Sequence, residues 1–169
     1  MTMDIIDKRI YSCNEAICKN IESLQANERG LLSQNILSQL RNFLECVFLK
    51  IYVASGNSLI ENEYQNIKNA IKFINTLQGK YRFLNQFHKL LQISVSHYTL
   101  DPDSSERLML KYYEYLLRIK TFMKDNYEIE LLENLHKFPL NTDTAFTQYY
   151  EAIEKVLENK AVIARKTIQ

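Results

Sequence analysis

Residues 90–115 read LLQISVSHYTLDPDSSERLMLKYYEY, and this stretch decides the fold. Its first part continues an apolar pattern at helical steps that is already present at Phe87 and that ends near His97. Asp101 and Pro102 then mark a turn and the start of a new helix, because Asp is a favourable N-cap and proline suits the first helical position. The second part is apolar and rich in tyrosine. The stretch therefore predicts two consecutive helices with a short turn between them, and His97 at their junction.

The rest of the chain shows the same helical periodicity, and no strand-like alternation lasts for more than a few residues. Glycine and proline are scarce, which favours long uninterrupted elements. The broadest apolar arc marks a central helix that neighbours cover on most of its surface. The predicted helices span residues 5–24, 31–54, 61–77, 80–96, 102–124, 128–136 and 143–164. We therefore predict an all-α fold, a single bundle of five to six helices.

The domain organisation follows from the length and from these elements. At 169 residues, the chain is expected to form one helical domain over residues 1–169. Its core is expected at about residues 31–124, with the N-terminal helix 5–24 and the C-terminal helix 143–164 packed on it. In the helix over 61–77, the residues predicted to face inward are Tyr64, Ile67, Ile71 and Ile74.

Composition and charge exclude several function classes. Formal net charge is +1, and Lys and Arg are spread along the chain, so no basic stripe of the kind that binds duplex DNA is evident. A basic groove that forms only on folding stays open. No run is long and apolar enough to cross a membrane, and the N-terminus does not read as a signal peptide. A cytoplasmic location is expected.

The sequence also lacks the usual motifs for cofactors and metals. The three glycines are isolated, so there is no phosphate-binding loop, and the three histidines form no zinc-protease motif. Cys13, Cys18 and Cys46 have no CxxC spacing and no histidine nearby. We therefore predict no metal and no cofactor, and we expect the cysteines to be buried or half-buried free thiols.

Two places in the sequence are candidates for a functional site. Arg41 and Glu45 lie one turn apart at the edge of the central apolar arc, where they can pair. Such a pair is either a structural ion pair at the border of the core or the wall of a cleft. His97 at its junction either hydrogen-bonds a carbonyl at the helix end or lines the same cleft.

The order of these features resembles the HEPN superfamily, small helical bundles named for higher eukaryotes and prokaryotes nucleotide-binding. The resemblance covers about residues 31–124 and rests on three features. These are the central helix with Arg41 and Glu45, the apolar helix that ends at His97, and the next helix with its opening Ser-Glu-Arg-Leu-Met. It implies a homodimer, and many members are metal-independent ribonucleases of toxin–antitoxin and anti-phage systems.

The family motif is an Arg followed, after four to six residues, by a His. His97 stands where the family has its His, but Gln92 occupies the place of the Arg and cannot supply the positive charge. We hypothesise that Arg41 replaces it from the neighbouring helix. The cleft would then also include Gln92, Tyr98 and Asn42. A second match to the spacing runs from Arg82 to His88, at the start of a helix rather than its end.

Two functions follow as expectations. The first is a HEPN-like accessory or interaction domain without catalysis, which forms a homodimer or docks a partner protein or domain. It would serve as the N-terminal module of a larger bacterial protein of nucleic-acid metabolism or defence. The alternative is a metal-independent HEPN ribonuclease that acts on RNA through His97 with Arg41 or Arg82. Cleavage of RNA in EDTA, lost in His97→Ala and retained in His88→Ala, separates the two.

Overall fold

A computed structural model describes residues 3–23, 34–96 and 102–138 of the chain. Within these ranges the chain forms five α-helices and two 3₁₀ turns, and no strand, so the predicted all-α fold is confirmed. The helices are α1 (Met3–Ser23), α2 (Gln34–Ala54), α3 (Glu63–Thr76), α4 (Arg82–Ser96) and α5 (Pro102–Tyr127), and the 3₁₀ turns are Gly79–Tyr81 and Leu135–Lys137. The predicted helix over 143–164 lies outside the described residues.

Helix α2 is the centre of the bundle, as its broad apolar arc predicts. It packs against α1, α3 and α4, and α4 packs in turn against α5. Because neighbours surround it, eight of its apolar residues are at most 3% exposed: Leu37, Leu40, Phe43, Leu44, Val47, Phe48, Leu49 and Ile51. The described helices thus share one hydrophobic core.

Helices α1 and α2 run antiparallel, and polar contacts fix their register. Lys50 Nζ donates to Asp7 Oδ1 at 2.6 Å, and more than three turns further along α1 Asn20 donates to Gln39. A residue later in α1 therefore contacts a residue earlier in α2, as expected for antiparallel helices. Lys50 is 7% exposed and lies over the Tyr127 ring at 5.6 Å, so α1, α2 and the end of α5 meet there.

The helix predicted over 128–136 is wrong, and the reason lies in tertiary contacts. Glu128 and Leu132 have left-handed φ values of 56° and 57°, which an α-helix excludes. Lys120 Nζ donates to the carbonyls of Leu131 and Leu132 at 3.1 and 3.2 Å. The Leu132 carbonyl also accepts the Leu135 N–H at 3.1 Å, a bond of the 3₁₀ type rather than of the α-helical type. Residues 128–138, the C-terminal segment of the described chain, form an irregular strap with one 3₁₀ turn.

This strap closes onto α1 through two buried asparagines. Asn14 Oδ1 accepts from the Leu132 backbone N–H at 2.8 Å, and Asn134 Nδ2 donates to the Cys18 carbonyl at 2.6 Å. Paired hydrogen bonds of this kind satisfy backbone groups that would otherwise be buried without partners. The strap therefore joins α1 to the end of α5.

The inward face of α3 also differs from the prediction. Tyr64 was expected inside the bundle but is 67% exposed, while Ile67 and Ile71 are half-buried and Ile74 is buried. The cause is Asn66, which is 1% exposed and bonds both backbone groups of Ile60, at 2.9 and 2.7 Å. This clamp turns the Asn66 side of α3 inward and Tyr64 outward.

Candidate functional site

The cleft predicted from the sequence is only partly covered by the structure. His97 and Tyr98 lie outside the described residues, so their position beside Arg41 stays a prediction. Arg41 is half-buried on α2, and Asn42 next to it is exposed. Gln92 is exposed near the end of α4. The positions of Arg41, Asn42 and Gln92 alone do not test whether the predicted cleft forms.

Glu45 instead faces His88. The two come from α2 and α4, and His88 Nε2 lies 3.6 Å from Glu45 Oε1, which is longer than a hydrogen bond. His88 is 4% exposed, and its ring lies against Phe48 with the ring centroids 5.4 Å apart. Its Nε2 has no hydrogen-bond partner among the residues that the structure describes. An imidazole enclosed in this way contacts no substrate at the surface.

Arg82 does not join His88. Arg82 is exposed at the first residue of α4, whereas His88 is buried six residues later. Six residues at 100° each place the two side chains about 120° apart around the helix axis. The Arg82–His88 spacing therefore does not bring the two side chains to one surface.

The structure points to a different feature, the charge of α3 and α4. From Tyr64 to Leu100 the sequence has five Lys and Arg residues and no Asp or Glu. The whole chain has 21 Lys and Arg residues and 20 Asp and Glu residues. The rest of the chain therefore carries more acidic than basic residues. This signal was available in the sequence, but overall counts of Lys and Arg conceal it. All five basic side chains are exposed: Lys68, Lys72, Lys80, Arg82 and Lys89.

On α3, the basic residues lie on one outer stripe. Tyr64, Lys68 and Lys72 follow each other at four-residue steps, which places neighbouring Cβ atoms about 5–6 Å apart. Lys68 Nζ lies 4.7 Å from the centroid of the Tyr64 ring. One stripe thus offers two cations and an exposed aromatic ring.

On α4, Arg82, Gln86 and Lys89 form a second outer stripe. Lys80, in the 3₁₀ turn that joins the two helices, donates to Asn126 Oδ1 of α5 at 2.7 Å. Asn85 Nδ2 donates to the Ile74 carbonyl at 3.0 Å and fixes α4 against α3. Both helices bury their other sides against α2, so the two stripes face away from it.

We call these two stripes, together with Lys80 of the turn that joins their helices, the α3–α4 basic face; it consists of Tyr64, Lys68, Lys72, Lys80, Arg82, Gln86 and Lys89. Its border at the start of α3 carries Glu61 and Glu63, and Glu63 is paired with Arg9 of α1 at 2.5 Å. Glu45 on α2 turns inward to His88. The positive charge of the face is therefore little offset by carboxylates within it.

Other kinds of site find less support. In the described ranges no group of three His, Cys, Asp or Glu side chains could hold a metal ion. None of the described helices combines the length and the apolar character needed to cross a membrane. The protein is an all-α helical bundle. Its α3 and α4 carry the basic face described above. Comparison with protein-family models, with curated proteins and with solved structures finds no match.

Proposed function

We propose that this protein is a non-catalytic interaction domain that binds single-stranded RNA along the α3–α4 basic face. One observation carries the proposal: the five exposed cations belong to a stretch without a single carboxylate. Phosphate groups are the ligands that such a surface attracts, because Lys and Arg replace the counterions of the nucleic-acid backbone. The proposal keeps the interaction role expected from the sequence and names the partner.

Four other cations of the described chain differ from those of the basic face. Arg9, Lys50, Lys124 and Lys137 each form an ion pair with a carboxylate of the protein itself. In the described ranges no such pair involves a cation of the basic face. Within the described ranges, an external anion therefore competes with no carboxylate of the protein for these cations.

Single-stranded RNA fits the face better than a duplex does. The Tyr64 ring is 67% exposed, so a base can stack on it, which requires an unpaired base. The exposed amides of Asn75, Gln78 and Gln86 lie among the cations and can hydrogen-bond base edges. In an RNA duplex these edges are largely out of reach of side chains.

We propose that the protein is not a nuclease because its candidate catalytic side chains Arg82 and His88 do not come together at the surface. His88 is enclosed by the core, and Arg82 lies on another side of α4. Gln92 replaces the arginine of the family motif. A nuclease that uses His97 with Arg41 stays the alternative, and membership of the HEPN superfamily stays a prediction.

The test is fluorescence anisotropy with an end-labelled, unstructured oligouridine of 20 nucleotides. The double variant Lys68→Glu/Lys72→Glu is compared with Lys8→Glu/Lys19→Glu, which makes the same charge change at exposed positions of α1. We expect the α3 variant to lose about tenfold or more in affinity, and the α1 variant less than about twofold. Equal losses in both variants, or no binding by the unaltered protein, would contradict the proposal.

Three further measurements sharpen the assignment. Tyr64→Ala should weaken binding of the oligouridine, because stacking on the ring is lost. A fully paired RNA, and vesicles of phosphatidylcholine with phosphatidylserine, should bind more weakly than the single strand; the opposite order refutes single-stranded RNA as the ligand. The oligouridine should stay intact in EDTA, whereas cleavage that disappears in His97→Ala refutes the non-catalytic role.

A further inference from the structure

Cys13 and Cys46 face each other across the interface of α1 and α2. The contacts Asp7–Lys50 and Asn20–Gln39 fix the antiparallel register of these helices on either side of the two cysteines. Cys13 lies midway between Asp7 and Asn20, and Cys46 lies between Gln39 and Lys50 at the corresponding place. Both thiols are half-buried and pack against the hydrophobic core. The fold thus holds two thiols opposite each other on neighbouring helices.

The two thiols are chemically unequal. The pKa of Cys13 is lowered to about 7, chiefly by its interaction with the Cys46 thiol and also by the positive charge of Arg9, while burial opposes the shift. The pKa of Cys46 is raised, chiefly by the same interaction with Cys13, then by burial and by the negative charge of the Cys13 thiolate. At neutral pH the pair thus contains a nucleophilic thiolate and a neutral thiol next to it.

We propose that Cys13 and Cys46 form a reversible oxidation site whose substrate is hydrogen peroxide or a small organic hydroperoxide. The Cys13 thiolate attacks one peroxide oxygen, the O–O bond breaks, and hydroxide or alkoxide leaves, so that Cys13 becomes a sulfenic acid. The Cys46 sulfur then attacks the Cys13 sulfur, the S–O bond breaks, and the Cys46 proton leaves with the oxygen as water. Two thiols are oxidised to a disulfide while the peroxide is reduced, and an external dithiol reverses the change.

Cys18 serves as an internal control. It lies on α1 like Cys13 and is half-buried, but its thiol donates to Asn14 Oδ1 at 3.7 Å rather than meeting a second cysteine. Burial raises its pKa. Its thiolate fraction at neutral pH is therefore small, and oxidation at Cys18 should be slow.

The proposal is tested on the full chain with hydrogen peroxide, followed by non-reducing peptide mass spectrometry. We expect a peptide pair joined by Cys13 and Cys46 that disappears on treatment with dithiothreitol, and no disulfide that contains Cys18. The Cys18→Ser variant should form the same disulfide at an unchanged rate. A dominant disulfide through Cys18, or a Cys13 that stays reduced when Cys18 is oxidised, overturns the assignment.

The Cys46→Ser variant separates the two chemical steps and removes little volume. Without a resolving thiol, Cys13 should stop at the sulfenic acid, which dimedone traps. Circular dichroism checks that the variant keeps its helices. If the folded variant gives no dimedone adduct at Cys13, the proposed first step is wrong.

The pH dependence gives an independent readout. The rate of Cys13 alkylation by iodoacetamide should rise with pH and reach half of its maximum near pH 7, where the thiolate forms. At pH 7 it should exceed the rate for Cys18 by about tenfold or more. In Cys46→Ala, which removes the neighbouring thiol, the midpoint should rise towards the ordinary thiol value. An unchanged midpoint in Cys46→Ala contradicts a contact between the thiols.

Discussion

At the scale of single residues, Asn66 decides which side of α3 faces the solvent. Asn66 is 1% exposed, and its side-chain amide hydrogen-bonds both the N–H and the C=O of Ile60. We expect Asn66→Ala to lower the free energy of unfolding by about 1–3 kcal/mol, because both backbone groups lose a partner in a partly buried place. Urea denaturation followed by circular dichroism measures the change.

The matched control is Asn75→Ala, the same substitution at an exposed position of the same helix. Its effect on the free energy of unfolding should stay within about 0.5 kcal/mol, as is usual for surface positions. Alanine has a higher helix propensity than asparagine, so propensity alone would stabilise both variants. Similar losses in the two variants would contradict the special role of the Asn66 clamp.

At the scale of elements, the end of α5 shows how the chain leaves a helix. Glu128 has a left-handed φ of 56°, and its N–H still bonds the Lys124 carbonyl at 3.1 Å. Glycine adopts this conformation without steric cost, so Glu128→Gly should raise the free energy of unfolding by about 0.5–1 kcal/mol. Glu133→Gly, in the same segment but without a positive φ, should lower it. A loss of stability in Glu128→Gly would contradict this account of the helix end, and thermal denaturation distinguishes the two signs.

At the scale of the whole molecule, charge is divided between a basic face and a more acidic remainder. If the five cations each neutralise at most one phosphate, the plot of log affinity against log salt should have a slope no steeper than about −3.5 for a single strand. Lys68→Glu/Lys72→Glu should flatten that slope, and Lys8→Glu/Lys19→Glu should leave it nearly unchanged. Anisotropy titrations at several salt concentrations measure the slopes, and a steeper slope in the unaltered protein places cations outside the face in the interface.

The helices were predictable from the sequence because their apolar residues recur at helical steps. For α2, the broad apolar arc predicts a buried helix, and its residues Phe43, Val47 and Ile51 are at most 1% exposed. Periodicity failed over 128–136, where Lys120 from α5 bonds the backbone carbonyls and two residues take left-handed φ values. The hydrogen bonds of Asn14 and Cys18 to the same segment join residues 118 and 116 positions apart, and local pattern does not contain such contacts.

The candidate site was less predictable, for two different reasons. The partner of Glu45 depends on how α2 and α4 pack, so sequence alone suggested Arg41 where the structure has His88. Whether Tyr64 points into the bundle or into solvent depends on the hydrogen bonds between Asn66 and Ile60. The absence of carboxylates between Tyr64 and Leu100, in contrast, is visible in the sequence, and only the exposure of the cations required the structure.

The hydrogen bond between Leu132 and Asn14 also has a consequence for synthesis on the ribosome. Its two residues are 118 positions apart. Translation proceeds from the N-terminus, so α1 is complete long before the strap that bonds it exists. Contacts of such large separation form late, because closing a long loop costs entropy before the contact repays it. A nascent chain stalled before residue 128 should therefore leave Asn14 open to solvent, and protection of α1 from a protease should increase once the strap emerges.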